Sequence, residues 1–377
     1  MTGAAVPGQR PAQPEPPWNQ VIRQLVVLVS VPLFVAFSAG KEDVLPDKYF
    51  ADSHHIESLG LAASGPSADS FVTMAWLYRL AGAFDYPTAT YLATLLLFFV
   101  VVFRCVSWIE IGRFGPLEMT LFAFCGAEAS IYLAQYSKES VIILLALALM
   151  TVPERAYGDA MFVAVACGYA YLIRSYWFIV VVLFLGFRLL LRSRKTHRLP
   201  IFVAGALVAL ACAVKLAMGV DLNSFRAMVN ESNALYAQSA IKDYIPVTGP
   251  FGGAVNALLT LVLLIVPIPL VVAFSPAYLV FGAIISVLWL SVLRVTVRGT
   301  RRGWFRADVR LSRAVSLLLA MLTVQAIFEP DYGSYIKHLT PLLPLFFLPL
   351  RALHEQREPT IVSPPVPGRV AVPDRQP

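Results

Sequence analysis

The sequence predicts an all-α polytopic membrane protein with about ten transmembrane helices, and three observations lead there. Of 377 residues, 58% are hydrophobic and 14% charged, whereas a soluble domain carries roughly 25% charged residues. Apolar runs recur along the whole chain, and roughly 20 residues of helix suffice to cross about 30 Å of hydrocarbon. The basic residues fall in short clusters between those runs, where they orient a membrane protein. That clustering also argues against nucleic acid as the partner of the +7 net charge. The four cysteines, Cys105, Cys125, Cys167 and Cys212, lie in or beside apolar runs without a CxxC pair, so they require neither a disulfide framework nor a metal.

Along the chain, residues 1–20 are rich in Pro, Gln and Ala and read as a disordered cytoplasmic arm; the Pro-rich stretch 357–377 reads as a disordered cytoplasmic tail. Between them, 21–356 reads as one transmembrane domain. The run 24–39 after Arg23 reads as an uncleaved first span. Further spans are expected near 87–104, 117–134, 139–153, 158–173, 175–191, 199–219, 273–293, 311–328 and 336–351. The stretch 158–191 is split at Arg174, because an ionised guanidinium at the bilayer centre is costly and belongs near an interface. Pro267-Ile268-Pro269 interrupts another long stretch, so 252–266 is expected to be a re-entrant or interfacial helix.

With both termini cytoplasmic, most of the 30 Lys and Arg fall inside, notably Arg192-Ser193-Arg194-Lys195 and those from Arg294 to Arg313. The long extracytoplasmic loops, 40–86 and 220–251, mix apolar and aromatic residues as interface-lying helices do.

Under this topology four polar motifs reach the extracytoplasmic side: Lys48 to His55, Tyr136 to Glu139, Arg174 to Trp177, and Asp331 to His338. Short loops between helices are polar in any case, and Lys and Tyr anchor interfaces. Four motifs from distant parts of the chain nonetheless suggest a site. Lys138 and Glu139 sit at a hydrocarbon boundary, either as a structural ion pair or with Lys138 on an anionic phosphate. Arg174 has a fork suited to phosphate, and Tyr176 and Trp177 offer flat faces for sugar rings. Lys337 and His338 are read at the head of a helix, where the macrodipole disfavours cations unless an anion is bound. Asp52 and the pair His54-His55 are candidate proton-transfer groups. No HExxH or DxD pattern marks the histidines as metal ligands.

The stretches KYFADSHHI (Lys48 to Ile56), YSKES (Tyr136 to Ser140), IRSYW (Ile173 to Trp177) and DYGSYIKH (Asp331 to His338), with the Pro267-Ile268-Pro269 element, resemble bacterial polysaccharide polymerases of the Wzy and EpsG type. The resemblance implies a GT-C-like fold in the bacterial inner membrane. It also implies polymerisation of polyprenyl-diphosphate-linked oligosaccharide repeat units on the extracytoplasmic face, beside other polysaccharide-assembly membrane proteins and without a cofactor or metal. On that basis Lys138, Arg174, Lys337 and His338 are expected at the diphosphate, with Asp52 or Glu139 as base. Tyr176, Trp177, Tyr332 and Tyr335 are expected against saccharide, and Asp331 and His54 remain alternative bases. The competing expectations are a lipid-linked glycan transporter or flippase, with Glu128 and Lys215 as its interior charges, and a GT-C glycosyltransferase that adds a single sugar.

Overall fold

The computed structural model describes residues 17–232, 239–246 and 248–354, so the expected tail and most of the expected N-terminal arm lie outside the described residues. The described chain is helical. In order come α1 (Pro17–Gly40), α2 (Ala51–Leu59), α3 (Ser70–Leu80), α4 (Pro87–Cys105), α5 (Trp108–Gly112) and α6 (Pro116–Tyr132). Then follow α7 (Glu139–Thr151), α8 (Ala156–Leu172), α9 (Trp177–Leu191), α10 (Arg198–Met218), α11 (Ser224–Ser232) and α12 (Gly249–Ile265). The last are α13 (Ile268–Val272), α14 (Pro276–Arg302), α15 (Trp304–Ala307), α16 (Val309–Phe328), α17 (Tyr332–Leu339) and α18 (Phe347–His354).

Local chemistry sets many of these limits. Pro87, Pro116, Pro250 and Pro276 open α4, α6, α12 and α14 at the position where a missing N–H costs nothing. Asp308 caps α16 by accepting from Leu311 N at 2.8 Å, and Asp331 caps α17 by accepting from Ser334 N at 3.0 Å. Gly219 and Gly303, at φ 73° and 78°, end α10 and α14 in the left-handed region that glycine adopts without strain.

Among the described residues five helices, α1 with its following turn, α4, α10, α14 and α16, are long and apolar enough to cross a membrane, and α7, α9 and α12 are shorter apolar helices. Their burial separates centre from rim. The apolar window of α16 is 94% buried, packed against α9 and α12, whereas those of α1 and α10 are only 11% buried. Side chains such as Leu28, Val29 and Leu33 on α1 and Ile201 on α10 face outward. Water would penalise so much exposed apolar surface, and lipid does not.

Hydrogen bonds at the helix ends fix their alternation. At one end, Lys41 after α1 bonds the Ala134 carbonyl after α6, and Glu139 at the head of α7 meets Arg174 between α8 and α9. At the other, Arg310 at the head of α16 bonds the carbonyls of Arg104 on α4 and Met150 on α7, and Arg313 bonds those of Val152 and Pro153. Successive long helices therefore run in opposite directions. The first end is called the Arg174 end below.

Two segments, 273–293 and 336–351, differ from expectation. The expected span 273–293 is α14, which runs nine residues further, through Arg302, before Gly303 stops it. Residues 252–266 form the regular helix α12, which breaks at Pro267. Its first N–H bonds Asp221 beyond the end of α10, while its last-turn carbonyls of Leu263 and Leu264 bond α17, so both of its ends are tied to elements of the Arg174 end. The expected single span 336–351 is instead α17, a 3₁₀ stretch over Thr340–Phe346 and α18. Pro341 and Pro344 lack the N–H that an α-helix requires there, so the chain tightens into 3₁₀ while remaining buried.

Candidate functional site: a charged cluster at one end of the bundle

Arg174 occupies the break between α8 and α9, and the break turns it towards the start of α7. There its Nη2 lies 2.5 Å from Glu139 Oε1, and its Nη1 donates to the Tyr176 hydroxyl at 2.7 Å. Glu139 is fully buried and Arg174 nearly so. Paired burial is what makes either charge tolerable.

The same carboxylate oxygen of Glu139 lies 3.3 Å from His338 Nε2, and His338 Nδ1 lies 2.6 Å from Glu329 Oε1. The imidazole therefore sits between two carboxylates. Each carboxylate keeps one buried oxygen, Oε2, without a hydrogen-bond partner. Lys337 reaches from α17 to Asp52 on α2.

Lys138, the residue before α7, differs from its neighbours. It is 9% exposed, its Nζ lies 3.3 Å above the centre of the Phe71 ring and 3.4 Å from the Ser70 hydroxyl, and no carboxylate of the described residues pairs with it. Burial first, and the nearby Arg174 guanidinium second, push its pKa down to about 8. Lys138 is thus a nearly buried ammonium with no carboxylate in direct contact, beside the Arg174 cation, while Asp52 and Glu139 act on it from further away.

The structure thus brings Asp52, Lys138, Glu139, Arg174, Tyr176, Lys337 and His338 into one linked cluster. It places the other expected residues differently. Trp177 is fully buried, edge-on to Tyr169 with ring centres 5.2 Å apart. Tyr332 and Tyr335 donate their hydroxyls at 3.2 Å to the Leu263 and Leu264 carbonyls, which the end of α12 leaves without intrahelical partners. Trp289 Nε1 also bonds the Tyr335 hydroxyl, at 2.5 Å. Asp331 is occupied as the cap of α17, and residues 239–241 pair alongside it. Trp177, Tyr332 and Tyr335 are buried and offer no face to a sugar, and the Asp331 carboxylate is engaged in the cap of α17.

The electrostatic argument for Lys337 and His338 also changes. The sequence reading placed them at a helix head, but Asp331 starts α17 earlier and sets them in its last turn, where the macrodipole favours cations. Both already have carboxylate partners. Sequence reasoning missed Glu329, which the approach of His338 draws into the cluster; its only signal was an acidic residue closing an apolar run before Pro330.

Beside the cluster, α2 also borders a cavity of about 340 Å³ lined by Ser38, Glu42, Ser53, His54, Glu57 and Tyr91. His54 thus faces this cavity, while Asp52 on the same helix faces Lys337. Among the described residues no group of His, Cys, Asp and Glu has the arrangement of a metal site.

Of the two interior charges weighed for a transporter, Lys215 on α10 pairs at 3.0 Å with Asp221 beyond the helix end, and Glu128 lies within α6 with no ion pair among the described residues. A second buried ion cluster lies at the opposite end, where Asp159 takes Arg188 at 2.7 Å and Arg313 at 2.6 Å. There Arg313 also bonds the backbone that joins α7 to α8, so these charges clamp helix ends together. Comparison of the chain with family models, curated proteins and solved structures finds no match.

Proposed function

We propose that the chain is a membrane glycosyltransferase that polymerises polyprenyl-diphosphate-linked oligosaccharide repeat units at the Arg174 end, taken as the extracytoplasmic face. The observation that carries this reading is Lys138: a nearly buried cation without a carboxylate, beside Arg174 and at the boundary of the apolar helices. A lipid-borne diphosphate gives Lys138 the contacting anion it lacks, at the depth where the lipid tail enters hydrocarbon. The resemblance of the four polar stretches supplies the reaction class.

In the reaction, a hydroxyl of the incoming unit attacks the anomeric carbon of the growing chain. The bond from that carbon to the diphosphate oxygen breaks, the diphosphate leaves as an anion, and a base takes the hydroxyl proton. Lys138 stabilises the departing charge, an effect worth roughly 10²- to 10³-fold in rate for one well-placed donor. Arg174, held by Glu139, orients the site through its charge. Of the two expected bases, Asp52 is 32% exposed and reachable, whereas Glu139 is sealed behind Arg174. Asp52 is therefore assigned as base and Lys337 as the group that orients it.

Thermal unfolding in detergent with added undecaprenyl diphosphate tests the anion site. The lipid should stabilise the wild type and stabilise Lys138→Met far less, since a ligand of the folded state stabilises by mass action. Equal stabilisation of both proteins would remove Lys138 from the site.

A further inference from the structure

The basic residues that set the expected orientation have a second consequence once folded. The loop 192–198 after α9 and the end of α14 with α15 are about a hundred residues apart in sequence, yet Arg306 Nε bonds the Arg192 carbonyl at 2.8 Å. A Cβ on Gly303 would lie 3.0 Å from the Arg194 guanidinium, so glycine there lets Arg194 lie against the backbone. Arg194 itself is held at φ 60°, a left-handed conformation costly for a side-chain-bearing residue, which docking of the two segments maintains.

Arg192, Arg194, Lys195, Arg198, Arg298, Arg301 and Arg306 lie in or next to the docked segments and are all exposed, and none of these seven forms an ion pair among the described residues. Self-repulsion of such a patch is relieved only by anions. Directly next to it the helices are apolar and outward-facing: Leu189 is 72% exposed on α9, Ile201 67% on α10 and Val297 41% on α14. Trp304, next to Gly303, is half-buried against the core with the Arg302 guanidinium 5.8 Å over its ring.

We propose that this patch is a binding site for the headgroups of anionic phospholipids, with their acyl chains along α9, α10 and α14. A soluble anion would satisfy the cations but has no use for the apolar band beside them. Charge and band together fit a phospholipid. The site lies at the end opposite Lys138 and stands independently of the glycosyltransferase reading.

The test is phosphatidylglycerol binding to the purified full chain in phosphatidylcholine nanodiscs, at fixed ionic strength. The variant Lys195→Gln/Arg301→Gln removes one charge from each docked segment. A cation near an anionic lipid is worth roughly fivefold in affinity, so the variant should bind phosphatidylglycerol about 25-fold more weakly. Lys48→Gln/Lys242→Gln, which removes equal charge from exposed positions at the Arg174 end, should bind as the wild type does. Inorganic phosphate at the same phosphate concentration should not compete. Undiminished binding by Lys195→Gln/Arg301→Gln, an equal loss in the Lys48→Gln/Lys242→Gln protein, or full competition by inorganic phosphate would each overturn the assignment.

Discussion

Replacing Arg174 by alanine separates its structural role from its electrostatic one. Glu139 is wholly buried and takes its closest contact, 2.5 Å, from Arg174 Nη2, while its other oxygen has no partner. Removing the guanidinium leaves a buried carboxylate with His338 as its one remaining ion-pair contact, and breaking a buried pair from one side costs about 3–5 kcal/mol. Arg174→Ala should therefore lose stability and membrane abundance, not activity alone. Arg174→Lys keeps the charge and gives up the bond to Tyr176, for a loss of about 1–2 kcal/mol. Removing both charges, as in Arg174→Met/Glu139→Gln, should recover most of the loss, because no uncompensated ion remains. Reversible unfolding in mixed detergent micelles measures all three against wild type. An Arg174→Ala protein within about 1 kcal/mol of wild type, or a double variant no better than the single one, would refute the view that the pair stabilises the α7–α9 junction.

Three further outcomes are expected. Lys138, held near 8, binds its proton less tightly in the folded chain than in the unfolded one, so its penalty is full below pH 8 and fades as pH rises towards the ordinary lysine value of 10.5. Set against the attraction of the Phe71 ring, that makes Lys138→Met about 2 kcal/mol more stable than wild type at pH 7, with the gain vanishing by about pH 10.5; a gain that grows with pH would show the sign to be wrong. Lys41 donates to the Ser130, Ile131 and Ala134 carbonyls at 3.1, 3.1 and 2.7 Å, so Lys41→Met should destabilise by about 2–4 kcal/mol, and unfolding curves matching wild type would remove it as the tie between α1 and α6. Cysteines at Ser193 and Lys242 should be labelled from opposite sides of sealed vesicles, because they lie at opposite ends of the bundle; labelling of both from one side would overturn the orientation.

What the sequence discloses follows what one residue can fix alone. The break at Arg174 is legible because a guanidinium in the middle of a long apolar run has no bilayer-compatible alternative. The helical membrane character is legible because composition carries it. What stays hidden depends on pairing. Nothing local says that Glu329 meets His338, that Lys41 fills with three carbonyls, or that Tyr332 and Tyr335 turn inward to cover the end of α12. The position of Lys337 and His338 was lost to a smaller signal, the cap formed by Asp331 with Ser334, which shifts the helix start enough to reverse the electrostatic argument. The prolines at 341 and 344 carry a signal against one continuous helix that the expected single span over 336–351 leaves unused, and nothing local says that the run stays buried as 3₁₀.

Incubating the purified chain with undecaprenyl-diphosphate-linked oligosaccharide and resolving products by length tests the proposed function most directly. The account predicts a ladder whose steps equal one repeat unit, reduced at least about 100-fold in Lys138→Met and in Asp52→Asn, with both variants still folded. Products lengthened by one monosaccharide only, lipid moved without any glycosidic bond formed, or a full ladder from Lys138→Met would contradict it.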